Sequence, residues 1–482
     1  MNTPFLAKLL LSASLLTQAI AVPAQTPPDF ENGLRRAVTI KGQPVAHLRL
    51  ADRMAHYKVP GVSVAIMEDC RIVFAKGYGV VEAGGKAVDK DTLFQAASIS
   101  KPVAALGALR LVEQDKLDLD ADANVVLKGW KVPESPLATG HPVTLRGLLS
   151  HGAGLTVHGF GGYAADKPVP TIVQVLNGTA PANSNAVKLA MAPGSKWQYS
   201  GGGYTVAQLM MIEAAGKPFP ALMKELVLDP AGMRRSSYEQ PLPSARASEA
   251  ALGHRGDGSA VPGRWHAYPE MAAAGLWTTP TDLLHYAEAV IRSDRGAPGA
   301  LLGQALAKDM LKTQIGNWGL GPALNEAGKP REFSHGGANE GFRSQYYAFP
   351  DTCQGAAVMT NSDNGMGLAQ EILRAIADSY HWPNPLASEE RDAVALTPAI
   401  SERFVGSYHL KAMADYRFHI KAGTSGKLVF VSPDGGTDEM VPGPADSLFS
   451  PDSGMRVVAD PAGGTYKFGI GDSQYEAVKE AK

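Results

Sequence analysis

The sequence contains very little cysteine: only Cys70 and Cys353 occur among its 482 residues. Two cysteines cannot hold a disulfide-rich scaffold together, and without histidine they cannot complete a four-ligand zinc site. They can form one disulfide in an oxidising compartment, or lie as two small buried apolar side chains.

An excess of charge of either sign is also absent. The chain has 45 Lys and Arg against 47 Asp and Glu, a formal net charge of -2. Proteins that bind nucleic acid usually carry a basic excess, so we expect no nucleic-acid partner. A hydrophobic fraction of 45% and a charged fraction of 19% are typical of globular proteins and exclude disorder as the main state.

Long apolar runs are missing beyond residue 22, so we expect no membrane span. The one such run, residues 9–22, follows Lys8 and precedes small residues, which is typical of a secretory signal peptide. We assign residues 1–24 to this signal peptide, although cleavage after Ala21 also fits. Export to a bacterial periplasm or beyond is therefore predicted; the alternative is a buried N-terminal helix.

The order of predicted elements is strands, a helical middle, strands and a final helix. We predict a helix over residues 29–58, a hairpin of strands 61–67 and 71–77, and a buried helix over 103–115. A further helix begins near Thr281-Asp282. A second hairpin over 343–349 and 355–360 and a helix over 366–380 follow. This order predicts an α+β domain, residues 29–381, whose antiparallel sheet is assembled from both ends of the domain.

The chain beyond residue 381 has a different pattern. Residues 382–400 carry Pro and charge without periodicity, which predicts a linker. Short alternating segments at 404–410, 416–421, 428–432, 455–459 and 465–469 are separated by glycine-rich turns. They predict a small all-β domain over 401–482, a barrel or a sandwich.

The segment Ser98-Ile-Ser-Lys101 offers a candidate nucleophile. Lys101 lies one helical turn after Ser98 and therefore on the same side of a helix that begins there. A desolvated lysine can stay neutral and accept the serine proton. The alternative is a helix-capping serine with a surface lysine. It stays open because one S-x-x-K match is expected by chance in a chain of this length.

Two further segments carry reactive side chains beside glycines. Tyr199 precedes Ser200-Gly-Gly-Gly-Tyr204, and His335 stands in Ser334-His335-Gly-Gly-Ala-Asn339. By itself, the first segment is more often explained as a packed aromatic at a loop, and the alternative for the second is a glycine-rich strand edge. The three segments in this order are far more specific than any one of them.

Taken together, these segments resemble the serine β-lactamase and penicillin-binding-protein superfamily, nearest its class C-like branch of D-stereospecific peptidases and family VIII esterases. The resemblance covers about residues 40–380. Supporting stretches are Leu148-Leu-Ser-His-Gly-Ala-Gly-Leu155, Pro193-Gly-Ser-Lys-Trp-Gln-Tyr-Ser200, Ala274-Gly-Leu-Trp-Thr-Thr279 and Trp318-Gly-Leu-Gly321. The tail resembles the lipocalin-like domain that some members carry.

The resemblance implies a role for each motif residue. Ser98 is the acylated nucleophile, Lys101 its base and Tyr199 the proton carrier, while His335 replaces the lysine usual in the third motif. The backbone N–H groups of Ser98 and Ala338 form the oxyanion hole. No cofactor or metal is required. The two cysteines lie at turns that meet at one end of the implied sheet, so the resemblance implies a possible Cys70–Cys353 disulfide.

Several substrate-contacting positions depart from the family pattern. Gly201 replaces the asparagine of Y-x-N, which hydrogen-bonds the substrate amide, and Gly336-Gly337 follow His335 without a hydroxyl group. Arg343 either restores a cation for a substrate carboxylate or forms a structural ion pair.

These departures weaken the β-lactamase interpretation and favour a serine hydrolase of D-amino-acid peptides or amides. Carboxylic esters come second and β-lactams third. A covalent penicillin-binding sensor that acylates without turnover is the alternative of another class. The expected partner is a small-molecule or peptide substrate, and the tail is a possible surface for homo-oligomer formation.

Overall fold

The central sheet joins two distant parts of the chain. The structure is a computed structural model that describes residues 29–325, 329–383, 386–423, 426–433, 435–461, 463–470 and 473–480. The predicted signal peptide, residues 1–24, lies outside the described residues. Within them, no helix combines the length and the apolar character that crossing a membrane requires.

The strands before the tail include the six of the central sheet and four short additional ones. Their bounds are β1 (Val38–Ile40), β2 (Gly61–Glu68), β3 (Arg71–Gly79), β4 (Phe94–Gln95), β5 (Trp277–Thr278), β6 (Ala323–Leu324), β7 (Phe333–Asn339), β8 (Phe342–Phe349), β9 (Gln354–Thr360) and β10 (Glu389–Arg391). Six of them form one sheet in the order β3-β2-β9-β8-β7-β6. Every neighbouring pair in it is antiparallel.

The α-helices lie mostly between the two groups of sheet strands. Their bounds are α1 (Leu50–His56), α2 (Ser100–Glu113), α3 (Ala123–Val126), α4 (Leu145–Leu149), α5 (Ile172–Asn177), α6 (Gly201–Ala215), α7 (Phe219–Met223), α8 (Met271–Ala274), α9 (Pro280–Asp294), α10 (Gln304–Met310), α11 (Gly365–Tyr380) and α12 (Pro398–Phe404). The predicted α+β fold is confirmed.

The sheet has an apolar layer on each face. Strand β2, with the sequence GVSVAIME, is buried on both sides, as expected for an inner strand rich in β-branched residues. Its Val62, Val64 and Ile66 pack with α11. Ala65 and Met67 belong to the larger core that includes α9 and the helical part. The helices of that part therefore pack against the face of the sheet opposite α11.

The predicted helix over 29–58 is wrong in most of its length. Only α1 is α-helical; Phe30–Asn32 is a short 3₁₀ turn, and β1 pairs in parallel with β10. Gly42 and Pro44 interrupt the helical pattern, and the β-branched residues of β1 find a strand partner about 350 residues later. The helix predicted from Thr281-Asp282 instead begins at Pro280, capped by the Thr279 side chain.

Cys70 and Cys353 lie in the turns after β2 and after β8. A disulfide joins them, with Cα atoms 5.1 Å apart. The Cys70 N–H also donates to the carbonyl of Cys353 at 3.0 Å. The first hairpin and the last one are thus tied at one end of the sheet.

The tail forms a closed barrel of eight antiparallel strands. They are β11 (Gly406–Leu410), β12 (Met413–Ala422), β13 (Leu428–Val431), β14 (Thr437–Gly443), β15 (Ser447–Phe449), β16 (Arg456–Ala459), β17 (Thr465–Ile470) and β18 (Ser473–Lys479). Alternating residues place the rings of Phe418, Phe430 and Phe468 together inside it. Strands β14, β15 and β18 are absent from the sequence prediction, since their apolar alternation is weak.

Two features join the barrel to the rest of the chain. Strand β10 and the start of α12 lie within the segment predicted as a linker, residues 382–400. The Arg53 guanidinium of α1 lies 2.6 Å from Glu371 of α11 and 2.8 Å from Asp452 of the tail. Its side chain is 5% exposed, so this ion-pair cluster is buried between the two parts.

Candidate active site

Ser98 and Lys101 lie at the start of α2. Ser98 is in a single 3₁₀ turn, Ala97–Ile99, which leads directly into the helix. Ala97 has a φ of +51°, a left-handed conformation that is unfavourable for alanine and is held by the surrounding core. The Lys101 ammonium donates to Ser98 Oγ at 3.0 Å and to the carbonyl oxygen of Ala273 at 2.8 Å. The motif therefore brings its hydroxyl and amine into hydrogen-bond contact.

The surroundings of Lys101 favour its neutral form. The residue is 2% exposed, and among the described residues no carboxylate forms an ion pair with it. Burial lowers the pKa of Lys101 to about 7. A substantial fraction of the amine is therefore uncharged at neutral pH and able to accept the proton of Ser98.

Tyr199 lies against the Lys101 amine at the N-terminus of α6. Its ring centroid is 4.9 Å from Lys101 Nζ, and the next residue, Ser200, caps the helix by accepting from the Gly203 N–H. Burial raises the pKa of Tyr199, and a hydrogen bond with Ser98 opposes that shift only in part. Tyr199 is therefore a neutral phenol within reach of the serine oxygen.

His151 supports Tyr199 from behind and was not identified as a site residue from the sequence. The two rings stack at 4.2 Å, and the Ser200 N–H donates to His151 Nδ1 at 3.1 Å. Burial and the nearby Lys101 hold the pKa of His151 well below its usual range, so the ring is neutral. The signal that could have found it is the stretch 148–155, used above only for the resemblance.

Glu270 is a second site residue that the sequence did not reveal. It is fully buried immediately before α8, the helix whose Ala273 carbonyl holds Lys101. Neither of its oxygens has a well-formed hydrogen bond in the described part of the chain. Burial raises the pKa of Glu270 to about 7, and Tyr163 opposes the shift only in part.

His335 lies on β7 beside Tyr199, with ring centroids 6.2 Å apart. Its Nδ1 lies 2.6 Å from the Gly336 carbonyl oxygen, which can only accept, so Nδ1 carries the proton. The bare Nε2 is buried without a partner among the described residues. Burial, with Lys101 nearby, lowers the pKa of His335 to about 3. The third motif thus presents a neutral acceptor where a lysine would present a cation.

Strand β7 approaches the Ser98 turn very closely. A Cβ on Gly337 would lie 2.2 Å from the Ala96 carbonyl oxygen, so only glycine fits there. Ala338, the next residue, is exposed and pairs with Arg343 across the hairpin. The predicted oxyanion groups, the N–H groups of Ser98 and Ala338, thus belong to two adjacent backbone segments.

The other predicted substrate contacts have different surroundings. A Cβ on Gly201 would lie 3.0 Å from the Phe160 ring, whereas one on Gly336 would make only ordinary contacts. The Arg343 guanidinium pairs with Asp363 at 2.8 Å and donates to the Asn339 carbonyl at 2.7 Å. Of the two interpretations of Arg343, the structural ion pair fits this geometry.

A half-buried serine in contact with a buried lysine, a neutral tyrosine and an adjacent strand define a serine acyl-transfer site. The family model described as Beta-lactamase matches residues 48–381 of this chain. The chain therefore belongs to the beta-lactamase family, and it is a serine hydrolase. The resemblance seen in the motifs is confirmed.

Named relatives show the range of the family. The chain is 28% identical to Esterase EstB of Burkholderia gladioli, over 55% of this chain and 74% of that protein. It is 26% identical to the D-alanyl-D-alanine-carboxypeptidase/endopeptidase AmpH of Escherichia coli (strain K12), over 61% and 71%. The octameric penicillin-binding protein homologue from Pyrococcus abyssi superposes with a TM-score of 0.58 at 20% identity, covering 89% of this chain and 98% of that one.

Proposed function

We propose that the protein is an exported serine acyl hydrolase that acts on D-amino-acid peptides and amides. The observation that carries the acyl-transfer part is the 3.0 Å contact between Ser98 Oγ and the buried Lys101 amine. The pKa of that amine, lowered to about 7, suits a general base at neutral pH.

In the first step Ser98 Oγ attacks the substrate carbonyl carbon while its proton passes to Lys101 Nζ. The negative charge that develops on the carbonyl oxygen is stabilised by the N–H groups of Ser98 and Ala338. The bond to the leaving amine then breaks, and that nitrogen takes a proton from the Tyr199 hydroxyl, which Lys101 reprotonates. The product is an ester on Ser98.

In the second step a water molecule attacks the carbonyl carbon of this ester. Lys101 accepts the water proton, relayed through the Tyr199 hydroxyl, and gives a proton back to Ser98 Oγ as the ester bond breaks. The neutral His151 ring behind Tyr199 keeps the phenol in place through this cycle without adding a second positive charge beside Lys101.

The substrate class follows from the neutral third motif. His335 offers a hydrogen-bond acceptor, and Arg343 is engaged by Asp363, so neither is a cation available to a substrate carboxylate. An acceptor suits the ammonium or amide N–H of an amino-acid substrate. The similarity to AmpH, whose name states D-alanyl-D-alanine chemistry, supports the D-configuration.

Carboxylic esters are the second candidate. The similarity to EstB supports them, and so does Gly336, which supplies no hydroxyl group to a substrate. Ester hydrolysis demands less of the leaving-group proton, because an alkoxide leaves more readily than an amide anion.

Three organisational features complete the proposal. Residues 1–24 direct export to the periplasm or the medium, the hydrolase domain spans 29–381, and residues 401–482 form a lipocalin-like domain after the linker 382–400. That last domain is a candidate surface for homo-oligomer formation, a suggestion supported by the octameric homologue.

A fluorophosphonate tests the nucleophile, and a substrate panel tests the class. We expect one adduct, located by peptide mapping on Ser98 and lost in Ser98→Ala. We then expect turnover of D-alanine p-nitroanilide with little turnover of the L-isomer. An adduct with no turnover of amides but rapid turnover of p-nitrophenyl esters would replace the first candidate by the second. An adduct that forms but never turns over would favour the covalent sensor.

A further inference from the structure

A cavity of about 690 Å³ lies beside the Tyr199 end of the cleft. One wall is the segment 156–161 and the other is 183–188. The first wall is bonded directly to the start of α6. The Gly201 N–H donates to the His158 carbonyl and the Gly202 N–H to the Val157 carbonyl, both at 3.0 Å. The cavity wall and the residues that follow Tyr199 are therefore one hydrogen-bonded unit.

Phe160 connects this cavity with the substrate position. Its ring lines the cavity, and its Cε2 atom lies 3.0 Å from where a Gly201 side chain would begin. The Phe160 ring and the His158 carbonyl thus occupy the space into which a longer residue at position 201 would extend. A group that extends from the acyl part of the substrate past Gly201 therefore meets Phe160 and then the cavity.

The lining of the cavity carries a positive charge and no negative charge. Lys188 is the only charged residue among those that line the cavity, and within the described residues it forms no ion pair. Asn185 and Asn183 add side-chain amides; Asn183 uses one of its two N–H groups to donate to the Gly162 carbonyl at 2.8 Å, which leaves the other for a ligand. The Ser184 hydroxyl is buried with no hydrogen-bond partner in the part of the chain described, a state that favours a polar ligand.

We propose that this cavity binds a carboxylate on the acyl part of the substrate, with Lys188 as its counter-ion and the amides of Asn183 and Asn185 as further donors. The inference rests on the proposed acyl-transfer function and adds its charge selectivity. The positive charge that selects the substrate then comes from Lys188, and not from the third motif around His335.

Two matched substrate pairs test the proposal. One pair is D-glutamic acid p-nitroanilide against D-glutamine p-nitroanilide, and the other is the p-nitrophenyl esters of adipic acid and of its monomethyl ester. We expect kcat/KM to favour the anionic member about fivefold, the ratio that about 1 kcal/mol of ion pairing gives. Lys188→Met removes this preference, Lys188→Glu inverts it and Lys188→Arg keeps it.

The control is Lys167→Met, which removes an exposed lysine that does not line the cavity. It leaves the preference unchanged. Equal losses on both members of a pair in Lys188→Met, or no change in either, would overturn the proposal. Because the ester pair does not require amide hydrolysis, a failure of the D-peptide proposal is visible separately, as esters turned over and amides not. Fluorophosphonate labelling of Ser98 reports whether each variant keeps its active site.

Discussion

Two buried cations in this molecule have opposite surroundings. Lys101 is 2% exposed and Arg53 is 4% exposed. Lys101 has a serine and a carbonyl oxygen as partners, whereas Arg53 contacts the carboxylates of Glu371 and Asp452. Burial lowers the pKa of Lys101 to about 7. Burial acts in the same direction on Arg53, but the hydrogen bond and the charge of Glu371 outweigh it and raise the pKa.

The difference shows what a counter-charge decides. A buried amine without an anion can exchange its proton at neutral pH and serve as a base. A buried guanidinium with two carboxylates keeps its charge and fixes three segments of chain in one arrangement. The same cost of burial lowers the pKa of a base beside Ser98 and accompanies the ion pairs that connect the barrel with the rest of the chain.

The largest expected effect comes from removing the Lys101 amine. Lys101→Met keeps a similar volume but has no base, so we expect kcat/KM for an ester substrate to fall by about 10²–10⁴-fold. The rate of fluorophosphonate labelling of Ser98 should fall with it. Lys308→Met, at an exposed position, is the control. Retention of the labelling rate within a factor of two would show that Ser98 does not depend on this base.

Removing Arg53, which lies between the barrel and the rest of the chain, should affect stability and not catalysis. Arg53→Met removes the buried counter-charge of Glu371, which retains the Tyr57 hydroxyl as a donor. Asp452 retains Arg36 and His56. Because a buried ion pair is broken, we expect the free energy of unfolding to fall by about 3–5 kcal/mol. Urea unfolding measures it, and Ser98 labelling of the folded variant should stay normal. Lys41→Met, which breaks an exposed pair with Asp392, should cost no more than about 1 kcal/mol. Equal costs for the two variants would contradict this account.

Within the described residues, Glu270 is a buried carboxyl group without a cation nearby, just as Lys101 is a buried amine without an anion nearby. Since its pKa in the folded state is about 7, the native protein holds a proton that the unfolded chain releases above about 4.3. The stability contributed by Glu270 is therefore full at low pH and is lost as the pH rises through 7, by about 4 kcal/mol at most.

Glu270→Gln stays neutral and should remove this pH dependence. We expect the variant to be more stable than the parent at pH 8 and equally stable at pH 4, measured by urea unfolding at both values. A parent curve with the same slope as the variant between pH 4 and 8 would show that Glu270 is already ionised in the folded state.

The smallest expected effect is a shift in a pH profile. His335→Glu brings a carboxylate beside Lys101, so that Lys101, like Arg53, has a buried acidic partner. We expect the rise of kcat/KM with pH, centred near 7 in the parent, to move upward by about one pH unit, which is about 1.4 kcal/mol. His335→Gln adds no charge and should keep the centre near 7. Identical profiles for the two variants would place the rise on another group.

The sequence predicted those parts of the molecule that depend on local pattern. Strand β2 was predicted from its run of β-branched residues, and Ser98 and Lys101 from their spacing. The stretch 148–155 marks His151 itself, but its stacking on Tyr199 and the burial of Glu270 depend on segments far apart in the chain, which no local pattern predicts. The predicted helix over 29–58 failed for the same reason, because the strand partner of β1 lies at residues 389–391.

The pairing of β2 with β9 also determines when this domain can fold. Val62 pairs with Thr360, so an inner strand made early has to wait for about 300 further residues before its neighbour exists. At the ~5–20 residues per second of synthesis, that interval is at least roughly 15 s. During it, β2 can pair only with β3 in an isolated hairpin, which is marginally stable in water. The newly made chain therefore carries an unfinished, apolar sheet edge, and high expression is expected to favour aggregation over folding.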